Sequence, residues 1–412
     1  MLQYVKCRHC RVALKFELID LGSAPPSNAY LTNITIRRPE KYFPLRVLVC
    51  ENCWLVQAED YSRAAELFND EYAYFSSFSD AWLEHSKQYV DHVVDRFGLT
   101  IDSFVIEVAS NDGYLLQYFK ERKIPCLGIE PTASTASAAR LKGIDTVERF
   151  FGIEFAKELV EKGDHADLMT ANNVLAHVPD INDFVTGFEI LLSDAGVATF
   201  EFPHLLNLVS GNQFDTIYHE HFSYLSFTTV CEIFEKCGLT VFDVADLSTH
   251  GGSLRVFAQK TLTGKRKIEP SVGELVRVEK SLGMKNQDFY KEFQSAANKV
   301  KDDFLHFLIK AKRSGKKVYA YGAAAKGNTL LNYAGIRGDL IEAVVDRNPA
   351  KQGKFLPGSR IPIVSESKMH EAKPDYIVIL PWNLKDELMK QLSYCQTWGG
   401  KFVITQPNLK II

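Results

Sequence analysis

The segment from Tyr218 to Tyr224 concentrates side chains that can move protons. It reads Tyr-His-Glu-His-Phe-Ser-Tyr, so it holds two histidines, a glutamate and two tyrosines. A neutral imidazole next to an acid suits proton abstraction near neutral pH. Two alternatives compete with this interpretation: residues that only pack, and a metal site. The metal alternative is weak, because His219 and His221 would share one face of a strand while Glu220 would point to the other.

A second group of polar residues follows a buried strand pattern at positions 104–116. The sequence Phe-Val-Ile-Glu-Val-Ala-Ser-Asn-Asp-Gly-Tyr-Leu-Leu predicts a strand, a turn of small residues and a helix start, where backbone N–H groups can meet a ligand. It lacks the Gly-x-Gly-x-x-Gly pattern of dinucleotide sites, since Ala109 and Asn111 occupy two of the glycine positions. Glu107 and Asp112 would repel a pyrophosphate but suit a cationic ligand with an ammonium group. S-adenosylmethionine is such a ligand.

Two further predicted strands end in polar residues that would meet the same cleft. The segment Gly128-Ile-Glu130 ends the second strand, and a carboxylate at that position can accept both hydroxyls of a ribose. The alternative for Glu130 is that it only neighbours a helix N-cap. The segment Ala171-Asn-Asn-Val-Leu-Ala-His177 follows a later strand, next to the edge where ligands bind in such sheets.

Four of the eight cysteines form two Cys-x-x-Cys pairs near the N-terminus, at Cys7, Cys10, Cys50 and Cys53. This spacing lets both thiolates of a pair reach one tetrahedral ion. Four thiolates fill the coordination shell of zinc and leave no position for water, so the sequence predicts a structural zinc site. The alternatives are free cysteines without a metal and a zinc ribbon that binds nucleic acid. Interleaved Asp and Glu residues disfavour the second alternative.

A second strand-turn-helix pattern, at 318–328, carries one lysine among small residues. Backbone amides of this turn, together with Lys326, would hold a diphosphate. Asp346 ends the next predicted strand, in the position of a ribose-binding acid. An NAD site and a purely structural domain are the alternatives, and the lysine stands where a dinucleotide fold usually has a helix-packing residue. The predicted nucleotide-sugar-binding residues are Tyr321, Gly322, Lys326, Asn328, Asp346, Arg347 and Lys351.

These groups need secondary structure that brings them together, and the hydrophobic pattern predicts it. Apolar strands alternate with amphipathic stretches over 101–260 and again over 316–412. This alternation predicts two α/β units, the first with a mainly parallel sheet covered by helices on both faces. Between the units, an apolar stripe runs from Phe289 to Leu308 with spacings of three and four, which predicts one long connecting helix.

Composition and charge exclude several classes of protein. A length of 412 residues suggests two to four domains at roughly 100–200 residues each. The chain has 48 Lys and Arg against 51 Asp and Glu, a net charge of −3, which builds no basic field for non-specific nucleic-acid binding. No apolar run approaches the ~18–20 residues of a membrane span. The N-terminus lacks the apolar core of a signal peptide, so the sequence predicts a cytoplasmic protein that binds neither nucleic acid nor membrane.

Seven short motifs follow one another along essentially the whole chain. They are Cys-x-x-Cys…Cys-x-x-Cys-x-Leu-Val-Gln at 7–57, Tyr72-x-Tyr-Phe-Ser-Ser-Phe-Ser79, Glu107-Val-Ala-Ser-Asn-Asp-Gly113, Asn172-Asn-Val-Leu-Ala-His-Val-Pro179, Tyr218-His-Glu-His221, His250-Gly-Gly-Ser-Leu-Arg255 and Tyr321-Gly-Ala-Ala-Ala-Lys-Gly327. With these motifs in this order, the chain resembles the sugar C-3-methyltransferases, which act on nucleotide-linked 4-ketosugars in deoxysugar and branched-sugar pathways.

The resemblance implies an α/β protein with a zinc-binding module, a domain that binds S-adenosylmethionine and a second Rossmann-like domain that helps to hold the nucleotide-sugar. We expect these domains at 1–70, 71–260 (with a helical lead-in at 71–100) and 316–412, with a helical connector at 261–315. The expected cofactors are S-adenosylmethionine and a structural Zn²⁺. The expected partner is a nucleotide-linked 4-ketosugar of the dTDP or GDP type, and we expect a monomer.

The resemblance also implies roles for individual residues. His221 would remove the proton from C3 of the sugar, and Glu220 would orient or tune its surroundings. Tyr218, His177 and Tyr72 would donate to the enolate oxygen or position the sugar. The residues expected around the methyl donor are Glu107, Ser110, Asn111, Gly113, Glu130 and Asn172. A positive φ angle at a turn is the alternative for Asn111.

Two other function classes compete with this interpretation. An NAD-dependent nucleotide-sugar epimerase or dehydratase would carry a glycine triplet and a Tyr-x-x-x-Lys pair, and neither is found at the first α/β unit. A non-catalytic zinc-ribbon binding protein would need only the cysteine pairs.

Overall fold

The computed structural model describes residues 5–61 and 75–412. Its strands, in chain order, are β1 (Phe16–Ala24), β2 (Phe43–Val49), β3 (Val56–Ala58), β4 (Val105–Val108), β5 (Cys126–Ile129), β6 (Thr146–Val147), β7 (Ala166–Asn172), β8 (Leu192–Pro203), β9 (Ser223–Tyr224), β10 (Leu239–Leu247), β11 (Ser253–Lys260), β12 (Val318–Tyr321), β13 (Val344–Val345), β14 (Ile363–Val364), β15 (Tyr376–Ile379), β16 (Lys401–Ile404) and β17 (Lys410–Ile411). Its helices are α1 (Asp80–Phe97), α2 (Leu116–Glu121), α3 (Ala133–Leu141), α4 (Ile153–Glu161), α5 (Ile181–Leu191), α6 (Leu205–Ser210), α7 (Phe227–Lys236), α8 (Pro270–Ser281), α9 (Phe293–Arg313), α10 (Ala325–Tyr333), α11 (Glu366–Ala372) and α12 (Lys385–Gln391).

The N-terminal sheet is antiparallel and has the strand order β1-β2-β3-β9. Its last strand comes from far along the chain, because Ser223 and Tyr224 pair with Gln57 and Val56. The histidine-rich segment therefore leads directly into a strand of this sheet. As a result, the N-terminal domain supports the segment that carries the candidate proton-transfer groups.

The central sheet has the order β10-β11-β8-β7-β4-β5-β6. Strands β4 to β8 run parallel, whereas β10 and β11 are antiparallel to their neighbours. All four residues of β4 are buried, as expected for a central strand of a parallel sheet covered on both faces. The chain leaves β4 toward β5 and later returns on its other side as β7, so a ligand cleft is expected at the carboxyl end of β4.

Helix α1 crosses toward this cleft and has clear end signals. The Ser79 hydroxyl accepts from the Trp82 N–H at its start, and Gly98 ends it with a left-handed φ of 64°. The predicted helix end near Gly98 is confirmed. The part of the predicted lead-in at 71–74 lies outside the described residues.

The C-terminal sheet has the order β14-β13-β12-β15-β16-β17 and is parallel except for its last pair. The α/β fold class is therefore confirmed: an N-terminal antiparallel sheet, a central Rossmann-like domain and a C-terminal domain with a mixed sheet. Along this second unit, the predicted strand that ends at Asp346 is short, because only Val344 and Val345 pair with neighbours.

The connecting helix α9 buries one face between the N-terminal and C-terminal sheets. Phe304 and Leu308 are fully buried in a core that also contains residues of β1 and β12. One detail of the prediction was wrong, because Phe289 is not on this helix. Asn286 caps a separate single turn at Gln287–Phe289, and the chain then redirects so that Tyr290 is the buried aromatic residue.

The described helices include none that is long and apolar enough to cross a bilayer.

Candidate active site

His221 lies in the loop between α6 and β9, in a turn whose backbone is held on both sides. Its N–H donates to the Tyr218 carbonyl at 2.9 Å, and the Phe222 N–H donates to the Ala176 carbonyl at 2.8 Å. His221 is 8% exposed, and its Nδ1 lies 2.9 Å from the Thr216 carbonyl oxygen. Because a carbonyl oxygen only accepts, Nδ1 carries the proton and Nε2 keeps a lone pair.

Two rings pack against this imidazole. The ring centroid of Tyr218 lies 4.0 Å away and that of His177 4.6 Å away. Burial lowers the pKa of His221 well below its ordinary value, and the neighbouring His177 lowers that pKa further. Burial also lowers the pKa of His177 to about 4. Both imidazoles are therefore neutral at neutral pH, and Nε2 of His221 can accept a proton. Tyr72, predicted beside them, lies outside the described residues.

Glu220 is almost fully buried and is held by two different parts of the chain. Its Oε1 accepts from the Asn28 side-chain amide at 3.2 Å. Its backbone carbonyl accepts the Nδ1–H of His177 at 2.8 Å. Burial raises the pKa of the Glu220 carboxyl group. Glu220 thus orients His177 through its backbone, while its own carboxyl group is positioned by the N-terminal domain.

Residues 25–31 were not predicted to belong to the site, yet they contact both Glu220 and the C-terminal domain. Besides Asn28, the Tyr30 hydroxyl donates to the Ala323 carbonyl at 2.6 Å. The Asn328 amide donates to the carbonyl of Ser27 at 2.6 Å. The sequence signal here was a pair of prolines followed by polar residues, which marks a loop but not its contacts.

His219 and His221 contact different parts of the protein. The His219 Nε2–H donates to the Phe43 carbonyl at 3.2 Å, inside the N-terminal sheet. The loop forms a turn here rather than a strand, so the two rings do not share a face. His219 and His221 therefore do not form the pair of ligands that the metal alternative requires.

Glu107 is fully buried near the carboxyl end of β4, the strand at which the strand order of the central sheet reverses. Within residues 5–61 and 75–412, neither of its oxygens has a hydrogen-bond partner of normal geometry. Burial raises the pKa of this carboxyl group, while the nearby Tyr114 hydroxyl lowers that pKa. A buried carboxylate without a cation beside it is costly to ionise, so a cationic ligand group at this position would stabilise the ionised form.

The turn after β4 has a left-handed backbone at three positions. The φ angles are 56° at Ala109, 50° at Asn111 and 74° at Gly113. Gly113 cannot be replaced easily, because a Cβ atom there would overlap the side chain of Ile144. Asn111 has the positive φ considered as its alternative, and its side chain also accepts the Ser76 N–H at 2.9 Å. The turn thus places its backbone close to the space that a ligand would occupy.

The other residues predicted around the methyl donor surround the same cleft. Glu130 accepts from the Asn111 N–H at 2.9 Å and from the Thr132 N–H at 3.0 Å. Each carboxylate oxygen has a second lone pair, so Glu130 can still accept ribose hydroxyls. Among the described residues, the Ser110 hydroxyl and the Asn172 amide nitrogen are buried without a partner. Unpaired polar atoms of this kind fit a polar ligand that satisfies them.

A second polar cluster, not predicted as a unit, joins the central domain to the C-terminal domain. Asp215 is fully buried and accepts from Trp382 Nε1 at 2.8 Å. Burial raises the pKa of Asp215 to about 6. Lys326 donates to Asn383 Oδ1 at 2.7 Å, and its ammonium lies 4.7 Å from the centre of the Trp382 ring. His250, on the central side, has a φ of 54°.

The predicted nucleotide residues of the C-terminal domain fall into two groups. Asp346 accepts from the Ala323 N–H at 2.8 Å, and Lys351 donates to the Ala323 carbonyl at 2.9 Å, so both contact the turn after β12. Gly322 lies in the same turn with a φ of 89°. In contrast, Tyr321 is buried in the core of the C-terminal domain.

Two further members of the predicted set are engaged elsewhere. The exposed Arg347 lies 3.2 Å from Glu366 Oε1, the same atom that accepts from the Tyr321 hydroxyl. Asn328 is buried against the N-terminal segment through its bond to Ser27. The backbone amide of Ala323, which a diphosphate at this turn would use, already donates to the Asp346 carboxylate.

The four cysteine sulfurs lie within 4.8 Å of one another. The Cys7–Cys53 and Cys10–Cys50 sulfur pairs are each separated by 3.5 Å. This separation is far longer than the ~2.05 Å of a disulfide and close to the ~3.8 Å between ligands of a tetrahedral zinc with Zn–S bonds of ~2.3 Å. The four thiolates therefore fit one zinc ion, which leaves no open coordination position.

Three domain families match this chain in order. A domain described as zinc binding matches residues 7–68, a methyltransferase domain matches residues 82–244, and a C-methyltransferase C-terminal domain matches residues 248–407. The C-methyltransferase NovU of Streptomyces niveus is 34% identical over 407 residues, which cover 99% of this chain and 96% of that protein.

Solved structures of other methyltransferases match less than half of this chain. An S-adenosylmethionine-dependent methyltransferase from Clostridium acetobutylicum is 12% identical, with a TM-score of 0.36, and the match covers 44% of this chain and 92% of that chain. Magnesium protoporphyrin IX methyltransferase from Synechocystis, with bound S-adenosylmethionine, is 15% identical, with a TM-score of 0.33, covering 44% and 82% of the two chains.

The thiolate cluster yields a prediction about metal content. Replacing Cys53 with Ser removes one of four ligands, so the purified variant should lose most of its zinc and unfold at a lower temperature. Inductively coupled plasma mass spectrometry and thermal unfolding measure these effects. Cys231→Ser, on α7 and not one of the four clustered cysteines, is the control and should retain about one zinc per chain. Full zinc content in Cys53→Ser would contradict the four-thiolate site.

Proposed function

The chain belongs to the C-methyltransferase family and depends on S-adenosylmethionine, and from this premise we propose that it methylates C3 of a nucleotide-linked 4-keto-deoxysugar through an enolate. The observation that carries the proposal is the buried His221, neutral and with the Nε2 lone pair free. A carbon needs such a base before it can become a nucleophile. A neighbouring ketone makes its C–H bond acidic, and the C4 ketone does this for C3.

The cleft at the end of β4 supplies the residues that would hold the methyl donor. Glu107 would pair with its ammonium group, because both carboxylate oxygens are buried without a normal partner among the described residues. Glu130 would accept the ribose hydroxyls, and Ser110 and Asn172 offer further unpaired polar atoms. Asn111 and Gly113 would shape the turn beside it. When bound, S-adenosylmethionine supplies an electrophilic methyl group for the deprotonated carbon.

Glu107 is directly testable by ligand binding. Glu107→Gln keeps the shape but removes the negative charge, so the affinity for S-adenosylmethionine should fall about 10- to 100-fold, as expected for a charge-assisted hydrogen bond of about 1.5–3 kcal/mol. Isothermal titration calorimetry measures this without catalysis. Glu121→Gln, at the exposed end of α2, is the matched control. Equal affinities in both variants would rule out the ammonium contact.

We assign the base function to Nε2 of His221. The Thr216 carbonyl holds the proton on Nδ1, so the ring has one protonation state and one orientation. The depressed pKa of His221 keeps it neutral at neutral pH, although it also makes the ring a weaker base. Proton transfer therefore requires that the enolate be stabilised by neighbouring groups. Tyr218, which contacts the ring, would donate to the sugar oxygen. His177 would only orient the sugar, because its one N–H is bound to the Glu220 carbonyl and its Nε2 can only accept.

The C-terminal domain would hold the nucleotide part of the substrate. Lys351 and Arg347 are cations near the turn after β12, and Asp346 is at the end of β13. A dTDP- or GDP-linked sugar would reach from this turn toward His221, since residues 25–31 contact both places. The glycine triplet of an NAD site is missing from both α/β turns, which favours this substrate over a dinucleotide.

Loss of the base should stop proton exchange. In deuterium oxide, with S-adenosylhomocysteine and a 4-keto-6-deoxyhexose carried by dTDP or by GDP, the wild-type protein should exchange the C3 hydrogen, as followed by proton NMR. His221→Asn should lower that exchange rate by about 10²–10⁴, the usual contribution of a general base. His219→Asn, two residues away with a ring bonded to Phe43, is the matched control. Normal exchange in His221→Asn would remove this residue from the role.

A further inference from the structure

We propose that Lys326 donates to the sugar carbonyl oxygen that becomes negatively charged on deprotonation, and is thus a catalytic residue rather than a diphosphate ligand. This inference rests on the proposed function and adds a second group, after His221, to its proton-transfer step. The sequence had suggested Lys326 as a diphosphate ligand, because it follows a turn of small residues.

Within residues 5–61 and 75–412, no carboxylate lies at ion-pair distance from the Lys326 ammonium. Its Nζ donates to the neutral amide of Asn383 at 2.7 Å and lies 4.7 Å from the centre of the Trp382 ring. An ammonium group has three N–H donors, and neither an amide nor a ring neutralises it. Asp215 is near enough to raise the pKa of Lys326, which burial lowers, but its Oδ2 accepts from Trp382 Nε1. Lys326 as a whole residue is half-buried.

The Trp382 ring, which contacts Lys326, is linked to the segment that holds His221. Trp382 donates to Asp215, and the next residue, Thr216, provides the carbonyl that holds His221. The other edge of the Trp382 ring packs so closely on Gly251 that an added Cβ would lie 2.7 Å from it. Thus the indole lies between the segment that fixes His221 and the segment that carries His250.

The electrostatic effects agree with this placement. The positive charge of Lys326 contributes to lowering the pKa of both His221 and His250. The Trp382 ring that contacts Lys326 also donates to Asp215 and packs on Gly251, so this cation lies next to the central domain. We place the reacting end of the sugar on this side, near His221.

A different lysine serves the turn after β12. Lys351 donates to the Ala323 carbonyl at 2.9 Å and lies 3.8 Å from Asp346. Arg347, the residue after Asp346, is instead paired with Glu366. Lys351 therefore suits the diphosphate, which leaves Lys326 for the sugar.

The proton-transfer step moves one proton and two electron pairs. The C3 proton moves to Nε2 of His221, the C–H electron pair forms the C3–C4 double bond, and the carbonyl π pair moves to the oxygen at C4. The ammonium of Lys326 donates to that oxygen as its negative charge develops. It thereby offsets the weak basicity of an imidazole whose pKa is depressed by burial.

The test compares proton exchange with nucleotide binding in Lys326→Met, with 4-keto-6-deoxyhexoses carried by dTDP and by GDP as probes. In the presence of S-adenosylhomocysteine and saturating sugar, C3 hydrogen exchange should fall about 10²–10³, as for loss of an oxyanion donor. The Kd for the nucleoside diphosphate alone, dTDP or GDP, should change less than about 3-fold. Lys351→Met should instead raise that Kd by about 10-fold or more. Lys385→Met, an exposed lysine on α12, is the surface control.

Each outcome decides between the roles. If Lys326→Met weakens nucleotide binding at least about 10-fold but exchanges normally at saturation, Lys326 binds the diphosphate and the inference is overturned. If the variant is unfolded by circular dichroism, Lys326→Gln, which keeps a donor for Asn383, should show the same loss of exchange without loss of affinity. A wild-type protein that exchanges neither sugar would overturn the proposed function itself, whereas normal exchange in both wild type and variant would overturn only the assignment of Lys326.

Discussion

The hydrogen bond from His221 Nδ1 to the Thr216 carbonyl is the interaction on which the site depends. It selects the tautomer that leaves Nε2 free, and it holds only because the loop around it is fixed at several points. Burial alone would keep the imidazole neutral but would not orient it. The cost of burying two neighbouring histidines is moderate because neither has to carry a charge.

All three domains contribute to holding this loop. The N-terminal sheet takes β9 as its last strand, directly after the histidine-rich segment. Thr229, just beyond that strand, donates to the carbonyl of Cys53, so the thiolate cluster is coupled to the same region. The C-terminal domain holds the other end through the bond from Trp382 to Asp215. This explains why a zinc-binding module is part of a methyltransferase: its folding supports the loop that carries the proposed base.

Much of the fold could be predicted from the sequence, because buried parallel strands and an amphipathic helix have strong patterns. The strand at Val105–Val108, the helix end at Gly98 and the four-cysteine cluster follow directly from local residue types. The antiparallel strand β10 was not predicted, since Asp243 and Asp246 interrupt its apolar alternation. Phe289 fitted the period of the connecting helix, but a cap at Asn286 ends that regularity before the helix begins.

The candidate site could be predicted only where its residues cluster in sequence. The histidine-rich loop and the turn at Glu107 stand out because chemical groups are adjacent along the chain. The contacts of Asn28 with Glu220 and of Trp382 with Asp215 join positions far apart, so no local pattern indicates them. For the same reason Lys326 suggested a phosphate ligand from sequence, whereas its contact with the Trp382 ring favours a role beside the base.

We propose that a neutral imidazole, with its proton on Nδ1, accepts the C3 proton. Nitrogen-15 NMR of the histidine-labelled protein, assigned with His221→Asn, measures the tautomer and the pKa of this one ring. We expect a neutral Nδ1–H imidazole that stays unprotonated well below the ordinary histidine pKa of about 6.5. A ring that is protonated at Nε2 at neutral pH, or that titrates at or above that value, would contradict it.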